Sequence, residues 1–276
     1  MHSAKIIADS ISQYGRRLTT MEVCFPRIVL AEFNTHRVFA RNSASSRAIP
    51  VEKMLRAVEE NPYVPSVWGR NQKGMQAGEE VDAATAEKSR ITWLIARDNA
   101  VNGARQLLDL GIHKQTTNRL LEPFLWHTVI VTATEWSNFF HLRDHPAAHP
   151  DMQKVARLMR EAYAGSKPAL IGDWQWHLPY VTPEEKGEHS ADLLRKVSTG
   201  RCARVSYLTH DGRRDIGEDV RLHDDLLKSG HMSPFEHVAR PALPTETVRP
   251  SPFIGWVQYR KMIPGEADML APKVGP

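Results

Sequence analysis

The stretch "LTTMEVCF" (residues 18–25) alternates, with Met21, Val23 and Phe25 on one side and Thr20, Glu22 and Cys24 on the other. Alternation of this length predicts a half-buried β-strand. Pro26 suits a first helical residue, so "PRIVLAEFNTHR" (26–37) predicts a short helix delivering His36 and Arg37 at its end. A polar loop follows, and a helix starts near Pro50. Residues 61–79, "NPYVPSVWGRNQKGMQAGE", are dense in turn formers and predict a long loop. Over 81–110, Leu94, Val101, Ala104 and Leu108 fall on one helical stripe. A second helical region is expected over 115–142. A third starts at Pro150, with Met152, Val155, Met159 and Ala162 facing inward. A loop rich in tryptophan and proline, "GDWQWHLPYVTPEE", comes next; "DVRLHDDLLKSGH" then predicts a helix stopped by Gly230. A proline-rich connection (241–252) and a last element, "FIGWVQYRKM", close the pattern. The layout is mixed α and β with helix dominant. It contains no internal repeat and no low-complexity tract.

Composition narrows the class. The 276 residues are 41% hydrophobic and 25% charged, which suits a soluble globular chain with a substantial core. No apolar run approaches the ~18 residues of a membrane span. "MHSAKIIADS" lacks the long apolar stretch of a secretory leader. Cys24 and Cys202 form no metal-type or redox-type pair, so a reducing, cytoplasmic setting is expected. The net charge is +4, and basic residues are dispersed, with doublets only at Arg16-Arg17 and Arg213-Arg214. Dispersed arginines argue against a nucleic-acid surface and suit an anionic small molecule.

The segment "EFNTHRVFARNSASSRAIP" (32–50) gathers three arginines, a histidine, two asparagines and three serines. Guanidinium forks match phosphate oxygens, while hydroxyls and amides suit a sugar or a base edge. The same composition also describes a solvated loop. "GHMSPFEH" (230–237) groups His231, Glu236 and His237 on a turn, without the spacing of a helical zinc motif. In "FFHLRDHPAAHPDMQ" (139–153), His145 and His149 are four apart but separated by proline, and no third metal ligand is evident. Neither cysteine has an adjacent base. There is no G-x-S-x-G elbow, P-loop or G-x-G-x-x-G fingerprint.

Together these segments resemble the flavin-dependent thymidylate synthases. The family signature R-H-R-x-x-S-x-N-E-x-S-x-R is similar to "THRVFARNSASSR", with His36, Arg37, Asn42, Ser45 and Arg47 at matching positions. Glu32 stands where the family has glutamine, Thr35 replaces the first arginine, Ala40 the first serine and Ser43 the glutamate. "NRLLEP" resembles A-R-x-x-L-P and puts Arg119 at a nucleotide-binding arginine. "FFHLRDHPAAHPDMQ" resembles F-L-x-L-R followed by A-Q-x-E-I-R; it puts His141 and Arg143 at flavin-contacting positions and Gln153 at a lost arginine. "CARVSY" and "GHMSPFEH" resemble R-V-S-Y and G-H-x-S-P-F-E-H, which implies that Ser206, His231, Ser233 and Glu236 serve the flavin and folate side. In the family these last two blocks precede the strand and the arginine motif; here they follow, so the motif order looks circularly permuted.

The resemblance implies one α+β domain over 1–276, helix-rich and packed on a small, mostly antiparallel sheet. It implies methyl transfer from 5,10-methylenetetrahydrofolate to C5 of deoxyuridylate, with FAD and NADPH, in a homotetramer with shared active sites. Ser45, Arg47 and Arg119 would be catalytic. Glu32, Ser43 and Gln153 would join them at the substrate, and His36, Arg37, Asn42, His141 and Arg143 would join the C-terminal blocks at the cofactor. Related deoxypyrimidine monophosphates, hydroxymethyl transfer, or flavin and nucleotide binding without catalysis are the alternatives. Trp174, Trp176 and His177 would either stack on a ligand or pack in the core.

Overall fold

The computed structural model describes residues 1–207, 214–246 and 251–264. Strand β1 (Ser3–Ser12) turns into β2 (Arg17–Pro26), followed by α1 (Leu30–Phe33), β3 (Ala40–Ser43), α2 (Val51–Glu60), α3 (Ala83–Asp109) and α4 (Lys114–Thr117). Then come β4 (Trp126–Ala133), α5 (Ser137–Arg143), α6 (Pro150–Gly165), β5 (Ala169–Ile171), α7 (Pro183–Glu188), α8 (Ala191–Arg204), α9 (Ile216–Ser229), β6 (Ala239–Pro241) and β7 (Trp256–Gln258). The main sheet has the order β3-β4-β2-β1-β5 and is antiparallel except where β5 joins β1. This is the mixed α+β architecture expected, with helices packed on a small, mostly antiparallel sheet.

The alternation in β2 sets the two faces of the sheet. Met21, Val23 and Phe25 pack with Met152, Val155 and Met159 of α6, and with Val129, Val131, Trp136 and Phe139. On the opposite face, Leu18 joins Ala239, Phe253 and Trp256 from the C-terminal part, and Ile130 of β4 meets Cys202 and Val205. The C-terminal part is therefore a second layer over the sheet.

Three elements differ from the sequence pattern. The region 115–142 is not one helix: it breaks at residues 118–124 into 3-10 turns and continues as β4. "WHTVIVTA" is rich in β-branched residues, which favour a pleated strand. Because β4 lies between β2 and β3 and its residues 129–133 are all buried, it shows no alternation to read. Pro26 ends β2, opposite Trp126, and caps a 3-10 turn at Arg27–Val29. That turn runs into α1, so the short helix is there, but it ends at Phe33 and His36 and Arg37 lie beyond it. β1, unread in the sequence, pairs along β2 with one irregularity between Ile6 and Ala8.

A chain of buried polar groups crosses the sheet. Ser10 Oγ and His177 Nδ1 are 2.9 Å apart, His177 Nε2 and Thr20 Oγ1 2.8 Å, Thr20 and Thr132 hydroxyls 2.7 Å, and Thr132 Oγ1 and His237 Nδ1 2.7 Å. His177 also exchanges backbone hydrogen bonds with Ala239. His177 is thus a packing residue, as is Trp176, which lies in an apolar cluster with Leu178, Leu194 and Val238, while Trp174 is exposed. Polar groups buried this deeply must be paired, so the chain fixes the C-terminal layer in one register.

Burial holds His127, His177 and His237 well below the ordinary histidine value, each at about 3. Their folded pKa is depressed, so their stabilising effect is complete above the unfolded value near 6.5 and is lost as pH falls toward 3. Each histidine should cost about 2 kcal/mol between pH 7 and pH 5. Urea unfolding at those two pH values should show a loss of several kcal/mol; equal stability at both would contradict the buried, uncharged assignment.

Candidate functional site

The loop after β3 meets the C-terminal layer at Asn42. This side chain is buried; its Nδ2 donates to the carbonyl of Cys202 at 2.8 Å. Its Oδ1 accepts from Ser206 at 3.2 Å and from Ser233 at 3.5 Å. The backbone N–H of Ser45 donates to Ser206 O at 3.0 Å. Amide and hydroxyl groups thus tie residues 42–45 to the end of α8 and to the turn after α9. Below them, Arg201 donates to both oxygens of Glu185, and its Nε donates to Asp219 at 2.8 Å, which Arg204 shares at 2.7 Å. Gly200 lets α8 and α9 approach closely, since a Cβ there would lie 2.2 Å from Asp219 O.

Around this junction lies a cleft of about 410 Å³, lined by Asn42, Ser45, Arg47, Ser206, His231 and Ser233. Six residues singled out from two distant sequence regions share it. Arg47 is exposed there, and so are His231 and Ser233. His113 and Gln115, not singled out in the sequence, line it as well. Their short helix α4 is docked on the loop: Asn118 Nδ2 donates to the carbonyls of Ser46 (2.7 Å) and Ile49 (2.9 Å), and Lys114 Nζ to that of Ala48 (3.0 Å). "GIHKQ" after a helix stop carries no pattern that separates it from an ordinary turn.

His36 belongs to a second cleft, of about 720 Å³, walled by Trp136, Phe139, Phe140 and Tyr163 and edged by Arg16. Arg143 Nε donates to His36 Nε2 at 2.9 Å, and its NH2 group donates to Thr35 at 3.1 Å. Arginine can only donate, so the uncharged His36 ring carries its proton on Nδ1. Burial, with Arg143 and Arg41 nearby, lowers the His36 pKa to about 4. Arg41 donates to the carbonyls of Asn34 and His36, closing the turn that presents His36.

The remaining candidates lie outside these clefts within one chain. Arg119 pairs with Glu122 at 2.7 Å, which Arg27 also reaches at 3.3 Å. Glu236 pairs with Arg260. Arg37 and His141 are exposed, Glu32 sits on α1, Ser43 is half-buried in β3 opposite Val129, and Gln153 is half-buried in the first turns of α6. The nearby His149 caps α6, and His145 accepts from the Ala147 N–H. Among the described residues, no group of three or more His, Cys, Asp or Glu could hold a metal ion, and no helix is long and apolar enough to cross a membrane. Cys24 and Cys202 are free thiols, and burial raises the pKa of both.

A sequence model of the family described as "Thymidylate synthase complementing protein" matches residues 18–169, more than half of the chain. No curated protein matches the chain by sequence. Among solved structures, the chain is similar to a UMP/dUMP methylase, PolB, from Streptomyces cacaoi. With 5-Br UMP bound, the identity is 16%, with 59% of this chain and 89% of that chain covered at a TM-score of 0.49. With 5-Br dUMP bound, the identity is again 16%, with 59% and 90% covered and a TM-score of 0.47.

The matched segment ends before α8, and Asn42 is one of its grips on the unmatched C-terminal layer. Asn42→Ala strands a buried carbonyl and two hydroxyls. It should lower the unfolding free energy by about 2–3 kcal/mol, while Ser43→Ala, one residue along the strand, should cost under about 0.5 kcal/mol. Equal effects in urea titrations would remove Asn42 from this role.

Proposed function

The chain belongs to the thymidylate synthase complementing protein family, and on that basis we propose that it methylates C5 of a pyrimidine nucleoside monophosphate, deoxyuridylate first, using FAD, NADPH and methylenetetrahydrofolate. The observation that carries this reading is the convergence of Ser45 and Arg47 with Ser206, His231 and Ser233 on one cleft. Its size lies in the range of small-molecule sites, roughly 300–1,000 Å³. Arg47 supplies a guanidinium fork for the phosphate, and Ser45 a hydroxyl beside it.

The residues of the second cleft fit a flavin. Trp136 and Phe140 are stacked at 15°, Tyr163 adds a third ring, and the His36 Nδ1–H can donate to a ring carbonyl. Arg16 offers a cation at the rim. When bound, FAD supplies the reducing equivalents that convert the transferred one-carbon unit to a methyl group. His36 stays uncharged at neutral pH because its pKa is about 4, so it orients a ligand and carries no formal charge. Neither cysteine serves as nucleophile in this reading: burial disfavours both thiolates. Exposed Ile91, Ile95, Leu110 and Leu120 support association into the homotetramer expected of the family.

Deoxyuridylate labelled with tritium at C5 tests the reading. The full chain with FAD, NADPH and methylenetetrahydrofolate should release tritium to water and form thymidylate. Arg47→Ala should lower kcat/KM by about 100-fold, equivalent to about 3 kcal/mol of charge-assisted hydrogen bonding. Nucleotide binding without tritium release would leave a binding protein and sink the enzyme.

A further inference from the structure

His113 and His231 reach the cleft from opposite parts of the chain, and each ring is tied down by Nδ1. The backbone N–H of Gln115 donates to His113 Nδ1 at 3.2 Å, capping α4. That nitrogen must present a lone pair, so the proton of the uncharged ring is on Nε2. His231 has the reverse arrangement. Ser229 Oγ lies 2.7 Å from the carbonyl of Asp225, which can only accept, so the serine proton is spent there. Ser229 Oγ must then accept from His231 Nδ1, 2.9 Å away, and His231 Nε2 is left as a bare acceptor. The His231 backbone is fixed as well. Gly230, at φ +73°, ends α9 in the left-handed region, and His231 N donates to Leu226 O at 2.9 Å. Neither Nε2 has a hydrogen-bond partner among the described residues.

One cleft therefore holds a histidine donor and a histidine acceptor whose polarities are set by their anchors. We infer that His113 and His231 are a specificity-determining pair: His113 Nε2–H donates to the C4 carbonyl oxygen of the pyrimidine, and His231 Nε2 accepts from its N3–H. Uracil presents this donor beside an acceptor. Cytosine presents a bare N3 and an amino group, so both contacts become like facing like. A site built around such a pair rejects the mismatched base because its own polar groups are left unpaired. The resemblance to the family gives His231 to the cofactor side; its place in one cleft with Ser45 and Arg47 gives it to the nucleotide. The inference rests on the proposed function, since it needs a pyrimidine in this cleft.

The test is equilibrium binding to the full chain of deoxyuridylate, deoxycytidylate and N3-methyldeoxyuridylate, which lacks the N3 hydrogen. The wild-type protein should prefer deoxyuridylate to each by about tenfold or more. His231→Ala should shrink the preference over N3-methyldeoxyuridylate to under about threefold. His113→Asn, which keeps a side-chain acceptor for the Gln115 N–H, should shrink the preference over deoxycytidylate likewise; circular dichroism checks that both variants fold. If wild type binds deoxyuridylate but the preferences survive both substitutions, or are absent from the start, the histidine pair is overturned and the proposed function stands. If wild type binds none of the three nucleotides, the proposed function falls and the pair with it.

Discussion

The site depends on one buried amide. Asn42 has a donor and an acceptor at the end of a short side chain, and it spends both on the C-terminal layer. The amide puts its donor and its acceptor on separate atoms, one aimed at Cys202 and the other at two serines, and an apolar residue would leave the Cys202 carbonyl unpaired in the core. Because Asn42 sits in β3, the edge strand of the sheet, its orientation is set by strand pairing with Ile130. The rigid sheet thus dictates where Ser206 and Ser233 stand, and Ser45 follows through its own N–H.

Around that amide, the two layers are joined by polar contacts of unusual depth. The Ser10–His177–Thr20–Thr132–His237 chain runs through β1, β2 and β4 into the turn that follows α9. Apolar packing among Leu18, Ala239 and Trp256 is non-directional and leaves the register open. Directional hydrogen bonds in a low-dielectric interior do not. The order of the blocks along the chain then matters little: what the cleft requires is that β3 and the turn after α9 be held in register.

Much of this was readable from residues alone. Met21, Val23 and Phe25 point into the core as their alternation predicts, Met152, Val155 and Met159 form the inward stripe of α6, and Gly230 stops α9. β4 was hidden because it is covered on both faces and neighbours helical segments, so periodicity had nothing to register. The resemblance collected Asn42, Ser45, Arg47, Ser206, His231 and Ser233, and these are neighbours in space. It also named Arg119, His141 and Gln153, which one chain places elsewhere. His113 escaped because its significance is relational: only the docking of Asn118 and Lys114 on the loop brings it to the cleft.

The central claim is that residues 44–49 and the segments at 202–206 and 231–234 form one nucleotide site. Hydrogen–deuterium exchange with and without deoxyuridylate tests it most directly. The account predicts that amides in all three segments slow together on binding. Protection confined to one side of the Asn42 junction, or appearing instead around Trp68 and around Trp93 of α3, would contradict it.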